Sequence, residues 1–187
     1  SLNLGITNNG TISALNGGTI QLQNNLVGTA GSQLVAGAGS TILQQGVTVS
    51  GVINTSGSGS FRPTNNGSNF LNGVTLNGTL DMASALASER VVGNLALNGT
   101  VNLNADSVLS FEGNNTLSGN ASIVFGNSGN NRLGVDGNGV LTIGANTTIR
   151  GQNGNIGDAV YVGGNGKLIN QGLISSDSGG TFSIRNL

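Results

Sequence analysis

The sequence predicts an all-β protein of the solenoid type, a coil of short parallel strands stacked along one axis. Three observations lead there. Short runs alternate apolar and polar residues and close on Gly, Asn or Ser, a pattern recurs at about 20–21 residues, and the composition supplies an aliphatic core with little charge.

The alternation is the period-two signature of strands bounded by turns. Thr19 to Gln23, Ser107 to Phe111 and Gly180 to Arg185 are examples, and no segment shows a long amphipathic helical period. Self-comparison turns these runs into a repeat. Residues 46–54 match 73–81, the pattern returns at 94–102, and a looser copy spans 114–122. The central glycines Gly51, Gly78, Gly99 and Gly119 lie 27, 21 and 20 residues apart, with weaker echoes at Gly151 and Gly172. A coil of about 20–21 residues with insertions at its corners fits this spacing.

Stacking such coils predicts columns. One apolar column holds Val49, Leu76, Leu97 and Leu117, and another holds Ile53, Leu80, Val101 and Ala121. The glycine column marks a corner where a Cβ would be costly. Two polar ladders are expected, Ser50–Asn77–Asn98–Ser118 and Asn54–Asp81–Asn102–Ser122, with like residues ~4.8 Å apart along the axis. A Thr column through Thr48, Thr75, Ala96 and Thr116 would lie beside the first. A β-sandwich also reads as short strands between turns, but column-wise repetition favours the solenoid. Residues 81–90 break the pattern and fit either a short helix with Asp81 as N-cap or a continuing strand followed by a small-residue loop.

Composition narrows the function. Glycine supplies 34 residues, proline one, and charged residues 7%, against about 25% charged in an average domain. Disorder is disfavoured because 36% of the chain is hydrophobic and the net charge is only −1. Cysteine and histidine are absent, which removes disulfides, thiolate or imidazole metal sites and Cys or His nucleophile–base pairs. Six scattered basic residues cannot build a nucleic-acid patch. No apolar run reaches the ~18 residues of a membrane helix. No cofactor is expected.

The seven acids are Asp81, Glu89, Asp106, Glu112, Asp136, Asp158 and Asp177. None neighbours another closely, so they read as solvated surface acids. Asp106 and Glu112 flank one strand, and a polysaccharide-cleaving site would need carboxylates gathered across coils. Gly163-Gly164-Asn165-Gly166-Lys167 lacks the aspartate of a calcium-binding nonapeptide and reads as a turn. The Gly134 to Gly139 run has no following helix to hold a phosphate. Eight Asn-x-Ser/Thr sequons, from Asn9 to Asn146, are the expected yield of an Asn- and Thr-rich chain. A flat Thr ladder is an ice-binding surface in principle, but here Ala96 interrupts it.

The strings Leu97-Asn98-Gly99-Thr100-Val101-Asn102-Leu103, Gly144-Ala145-Asn146-Thr147-Thr148-Ile149-Arg150-Gly151 and Gly166-Lys167-Leu168-Ile169-Asn170-Gln171-Gly172-Leu173-Ile174 resemble the β-strand repeats of very large bacterial surface exoproteins. These include filamentous-haemagglutinin-like adhesins and autotransporter passengers. The resemblance implies a right-handed parallel β-helix, export, and a place at the cell surface or outside it. It carries no functional residues.

Residues 1–187 therefore read as one β-solenoid domain. Ser1 has the look of the start of a processed or excerpted piece, and neither end carries an evident cap, which predicts continuation in a longer chain or end-to-end stacking of copies. The expected function is that of a non-enzymatic structural rod in an extracellular filament, fibre or stalk. The alternatives are an adhesin module binding glycans or surfaces, for which the loop around Arg62 and Pro63 is a candidate, and, further off, a polysaccharide-cleaving enzyme or an ice-binding protein.

Overall fold

The structure, a computed structural model, describes residues 5–185. The segments 1–4 and 186–187, and with them the expected start at Ser1, lie outside the described residues.

The chain is all-β and winds through about eight turns of a β-solenoid. The first coil holds β1 (Ile6–Asn8), β2 (Thr11–Ala14) and β3 (Thr19–Leu22), and the second holds β4 (Leu26–Gly28), β5 (Gln33–Ala36) and β6 (Thr41–Gln44). Longer strands follow: β7 (Thr48–Thr55), β8 (Ser60–Pro63), β9 (Phe70–Met82) and β10 (Ser88–Leu103). Short strands then resume with β11 (Val108–Glu112), β12 (Asn115–Ser118), β13 (Ala121–Phe125), β14 (Arg132–Asp136), β15 (Val140–Ile143) and β16 (Thr148–Gly151). The last are β17 (Gly154–Ile156), β18 (Lys167–Asn170), β19 (Leu173–Ser176) and β20 (Phe182–Ile184).

Every pairing is parallel and joins a strand to its equivalent one coil on, which divides the solenoid into three faces. The first face runs β1–β4–β7–β9–β10–β11–β14–β17–β20. The second runs β2–β5–β7–β9–β10–β12–β15–β18. The third runs β3–β6–β8–β9–β10–β13–β16–β19. Both β9 and β10 cross all three faces as single strands, because their corners shrink to a residue or two around Gly73 and Gly78, and Gly93 and Gly99.

The alternation read from the sequence directs one set of side chains inward on each face. Leu26, Val49, Leu71, Val91, Phe111 and Val135 stack on the first face. Leu34, Ile53, Leu76 and Leu97 stack on the second, and Ile42, Phe61, Leu80, Val101, Ile123 and Ile149 on the third. All are buried in one continuous core. At about 25 cal/mol per Å² of apolar surface removed from water, these columns carry the folding free energy.

Asparagine completes the corners. Between the first and second faces, the Oδ1 of Asn94, Asn114 and Asn138 accepts the backbone N–H of Thr116, Val140 and Asn165, at 2.7, 3.0 and 2.9 Å. Between the third and first, Asn25, Asn69, Asn131 and Asn153 accept from Thr48, Gly46, Asp106 and Thr181. Where a bending backbone cannot continue the ladder, an Asn side chain supplies the missing acceptor from a neighbouring coil.

Two expectations are settled here. The coil is not uniformly 20–21 residues: a step spans 21 residues from Asn77 to Asn98 but 28 from Asn153 to Thr181. Insertions at the corners after β13, β17 and β19 account for the growth and for about eight turns where uniform steps would give nine. The rod is then on the order of 40 Å long at ~4.8 Å per coil. At residues 81–90 the strand-and-loop reading holds. Strand β9 runs on to Met82, a loop follows, and β10 begins at Ser88. Asp81 does cap, but as a turn, with its Oδ1 accepting the Ala83 N–H at 3.1 Å.

Candidate functional site

Three of the four repeat glycines share one corner. Gly78, Gly99 and Gly119 turn the chain from the second face to the third, where coils approach so closely that a Cβ on Gly99 would run into the Gly78 carbonyl. Gly51 turns a different corner. It pairs with Val74 and not with Gly78, and leads from the first face to the second. At that corner Gly73, Gly93, Gly113 and Gly137 take φ between 62° and 75°.

The polar ladders are likewise real but differently composed. Asn54, not Ser50, precedes Asn77: Asn54 Nδ2 donates to Gln33 Oε1 at 3.2 Å, Asn77 Nδ2 to Asn54 Oδ1 at 2.8 Å, and Asn98 Nδ2 to Asn77 Oδ1 at 2.9 Å. Asn120, not Ser118, closes it by donating its backbone N–H to Asn98 Oδ1 at 3.3 Å. Ser50 lies on the first face opposite Val27, and Ser118 pairs with Ala96. In the second expected ladder Asp81 and Asn102 do pair, whereas Ser122 lies opposite Thr100 and Asn54 belongs to the amide ladder above. Asp81 also bridges to Arg62 at 2.9 Å across the third face.

The Thr column through Thr48, Thr75, Ala96 and Thr116 is not assembled. Thr48 lies on the first face, Thr75 pairs with Ala96, and Thr116 pairs with Thr142. A hydroxyl column stands instead on the third face. Thr19 pairs with Thr41 and Thr41 with Ser60; the pairing of Phe61 with Leu80 sets Ser60 opposite Thr79. Thr79 pairs with Thr100, Thr100 with Ser122 and Ser122 with Thr148. Seven consecutive coils thus place a hydroxyl at the same outward position. Among the described residues none of the seven hydroxyls is spent on a hydrogen bond within the protein, unlike the amides of the Asn ladder. Beside the column, on the same face, a cleft of about 300 Å³ is lined by Ala83, Asn102, Leu103, Asn104, Val124 and Gly126.

Asp177 is exposed, as its sequence spacing suggests, and Asp81, Asp106, Glu112 and Asp158 are partly exposed, but most of the carboxylates are engaged rather than free in water. Asp81, Glu112, Asp158 and Asp177 pair with Arg62, Arg90, Arg132 and Arg150, and Asp158 also lies 3.7 Å from Arg185. Asp106 accepts from Ser128. Asp136 and Glu89 are fully buried. Glu89 points into the core between Asn69 and Leu109 on the neighbouring coils, with Gln44 at hand. Burial pushes its carboxyl well above the usual range, against the opposing pull of the Arg90 backbone and the Gln44 side chain. Among the described residues no group of three acids comes together in a way that could hold a metal.

One arrangement had no signal in the sequence. After β17 the chain lies back over the first face as a strap, residues 157–162. Buried Asp136 fastens it, its Oδ1 accepting the N–H groups of Val160, Tyr161 and Val162 at 2.6, 2.9 and 2.9 Å while Ser110 donates to Oδ2. Tyr161 then reaches Ser88 with its hydroxyl and stacks on Arg90, whose guanidinium carbon lies 4.7 Å from the Tyr161 ring centre and 4.5 Å from that of Phe70. Arg90 also pairs with Glu112 and donates to the Gly67 carbonyl at 2.9 Å. Ser88, Ser110 and Asp136, outward-facing in the strand alternation, are buried beneath the strap.

The two terminal coils leave the ends of the core partly open. At the N-terminal end Ile12 and Ile20 cover the core incompletely and Ile6 is exposed. At the C-terminal end Leu168, Ile174 and Phe182, one on each face, do the same, beside exposed Ile169, Leu173 and Ile184. No protein-family model, curated protein sequence or solved structure matches the chain.

Proposed function

We propose that the chain is a non-catalytic structural rod displayed outside a bacterial cell, a stiff segment of a stalk, fibre or filament whose terminal coils pair with further coils. The terminal coils carry this reading. Each leaves apolar side chains partly covered at the end of the core, and among the described residues the outer edges of β1, β2 and β3, and of β18, β19 and β20, pair with no strand. Open parallel edges above an open apolar core are a template for another coil. The paired charges and thin aliphatic core suit a passive element that resists bending and proteolysis. The extracellular placement rests on the resemblance of the repeat strings to surface exoproteins.

Negative-stain electron microscopy across a range of protein concentrations tests the stacking. Unbranched fibres one solenoid wide, lengthening with concentration, are expected. Dispersed rods of about 40 Å at every concentration would overturn end-to-end pairing of this chain. Protease shaving of intact cells producing the full protein tests the surface location independently.

A further inference from the structure

We infer that the hydroxyl column running from Thr19 to Thr148 on the third face is a docking track for an extended, uncharged polysaccharide, its chain parallel to the solenoid axis with one sugar ring per coil. This goes beyond the rod reading, since the track exists on a single chain whether or not coils stack end to end.

The two ladders differ in free hydrogen-bonding capacity. The amide ladder of the second face is closed on itself, each Asn giving and taking within the protein. The hydroxyls of the third face are outward, partly exposed and unengaged among the described residues. Each keeps one donor and two acceptor sites for something outside the chain.

The hydroxyls also repeat at a spacing that suits a sugar chain. Coils advance ~4.8 Å along the axis, close to the rise of one pyranose ring in an extended β-linked chain, so successive hydroxyls meet successive rings. Single contacts of this kind are weak, and a row of seven gains strength by acting together once the first is made.

Charge favours a neutral ligand on this face. Every arginine among the described residues is paired with an acid, the exposed Lys167 lies on the second face, and the whole chain carries a net charge of −1, so the third face offers a polyanion no unpaired cation. The column next to the hydroxyls holds apolar Leu43 and Val124 together with Arg62, Asp81, Asn102 and Arg150, polar groups that hydrogen-bond sugar hydroxyls but spoil the flat, uncharged lattice an ice surface requires. The cleft by Asn102 and Val124 lies two residues along the strands from Thr100 and Ser122, and gives the track one concave point at which a ring can seat.

The test is retention of the full chain on suspended cellulose and chitin, with a soluble linear glucan as competitor. The third-face variant combines Thr79→Val, Thr100→Val and Ser122→Ala. The control combines Thr75→Val, Thr116→Val and Thr142→Val on the second face. Wild type and control should be retained and released by the glucan, and the third-face variant should lose about tenfold in retention. Wild type that is not retained, or a third-face variant that binds as wild type does, would overturn the inference. So would arrest of ice growth that the same variant abolishes, which would assign the column to ice. If the triple variant loses its far-UV β signal, Thr100→Ala alone replaces it, with a loss of about threefold expected. Fibre formation by microscopy stays unaffected by these variants, so failure of the track and failure of the rod reading remain distinguishable.

Discussion

Asn98 donates its side-chain amide to the carbonyl oxygen of the Asn77 side chain at 2.9 Å, and Asn77 does the same to Asn54 one coil earlier. The relationship has a direction, because every amide nitrogen points back toward the N-terminal end. Asn77→Asp removes a donor and sets a carboxylate oxygen against the Asn54 carbonyl. A loss of about 1–2 kcal/mol at pH 7 is expected in denaturant titrations, partly recovered on acidification as the carboxyl regains a proton. Asn77→Ser, with a shorter donor, should lose less.

Glu89 makes stability depend on pH. Its folded-state pKa is raised above the unfolded value by burial, so folding favours the protonated form. The stability is therefore fully present below the unfolded pKa, near pH 4, and declines as pH rises through the folded value. Glu89→Gln keeps the shape without the titration. It should match wild type near pH 4 and exceed it near pH 8 by about 1–3 kcal/mol, the scale of one buried polar group left unpaired. Equal midpoints at both pH values would contradict this account.

Two glycines separate crowding from backbone strain. At Gly99 a Cβ would strike the backbone of the preceding coil, whereas at Gly113, with φ of 74°, nothing lies within 4 Å. Gly113→Ala should cost about 1–2 kcal/mol, the penalty of a left-handed conformation for an L side chain. Gly99→Ala should cost about 3 kcal/mol or more, because the coils must part to admit the methyl group. Thermal melts of the two variants rank them directly.

The strap can be followed without a label. Tyr161 is the only tyrosine and the chain has no tryptophan, so tyrosine fluorescence reports on one side chain. Asp136→Ala strands three backbone N–H groups and should free residues 157–162, seen as changed Tyr161 emission and fast amide exchange there. Arg90→Ala removes the stacking partner and should change the emission while leaving exchange at Val160 and Val162 slow.

The solenoid was legible in the sequence because its determinants are local: alternation, turn residues and a repeat. All eight members of the two expected apolar columns are buried. Their register was less legible for a specific reason. Aligning Gly51 with Gly78 implies a step of 27 residues, while the chain steps 23 from Asn54 to Asn77. The error is four residues, and at Gly119 it is two. Slips by even numbers keep every side chain on its proper side of the sheet, so inside and outside are read correctly while partners are not. The hydroxyl column is illegible in the sequence for the same cause, since Ser60 and Thr79 align only when corners of unequal length are counted. Tyr161 meets Ser88 across 73 residues, and no local pattern announces that contact.

The corner asparagines have a consequence for how such a chain can change. Their oxygens accept main-chain N–H groups, which every residue but proline provides, and only one proline is present. A coil thus engages its neighbour largely through groups common to all coils, so neighbours are exchangeable parts. Removing one whole turn would bring together two surfaces that already fit, whereas removing half a turn would join unlike faces. Length in this architecture is adjusted by the turn, as links are taken from a chain, and the rod can grow or shorten without the rest having to be reinvented.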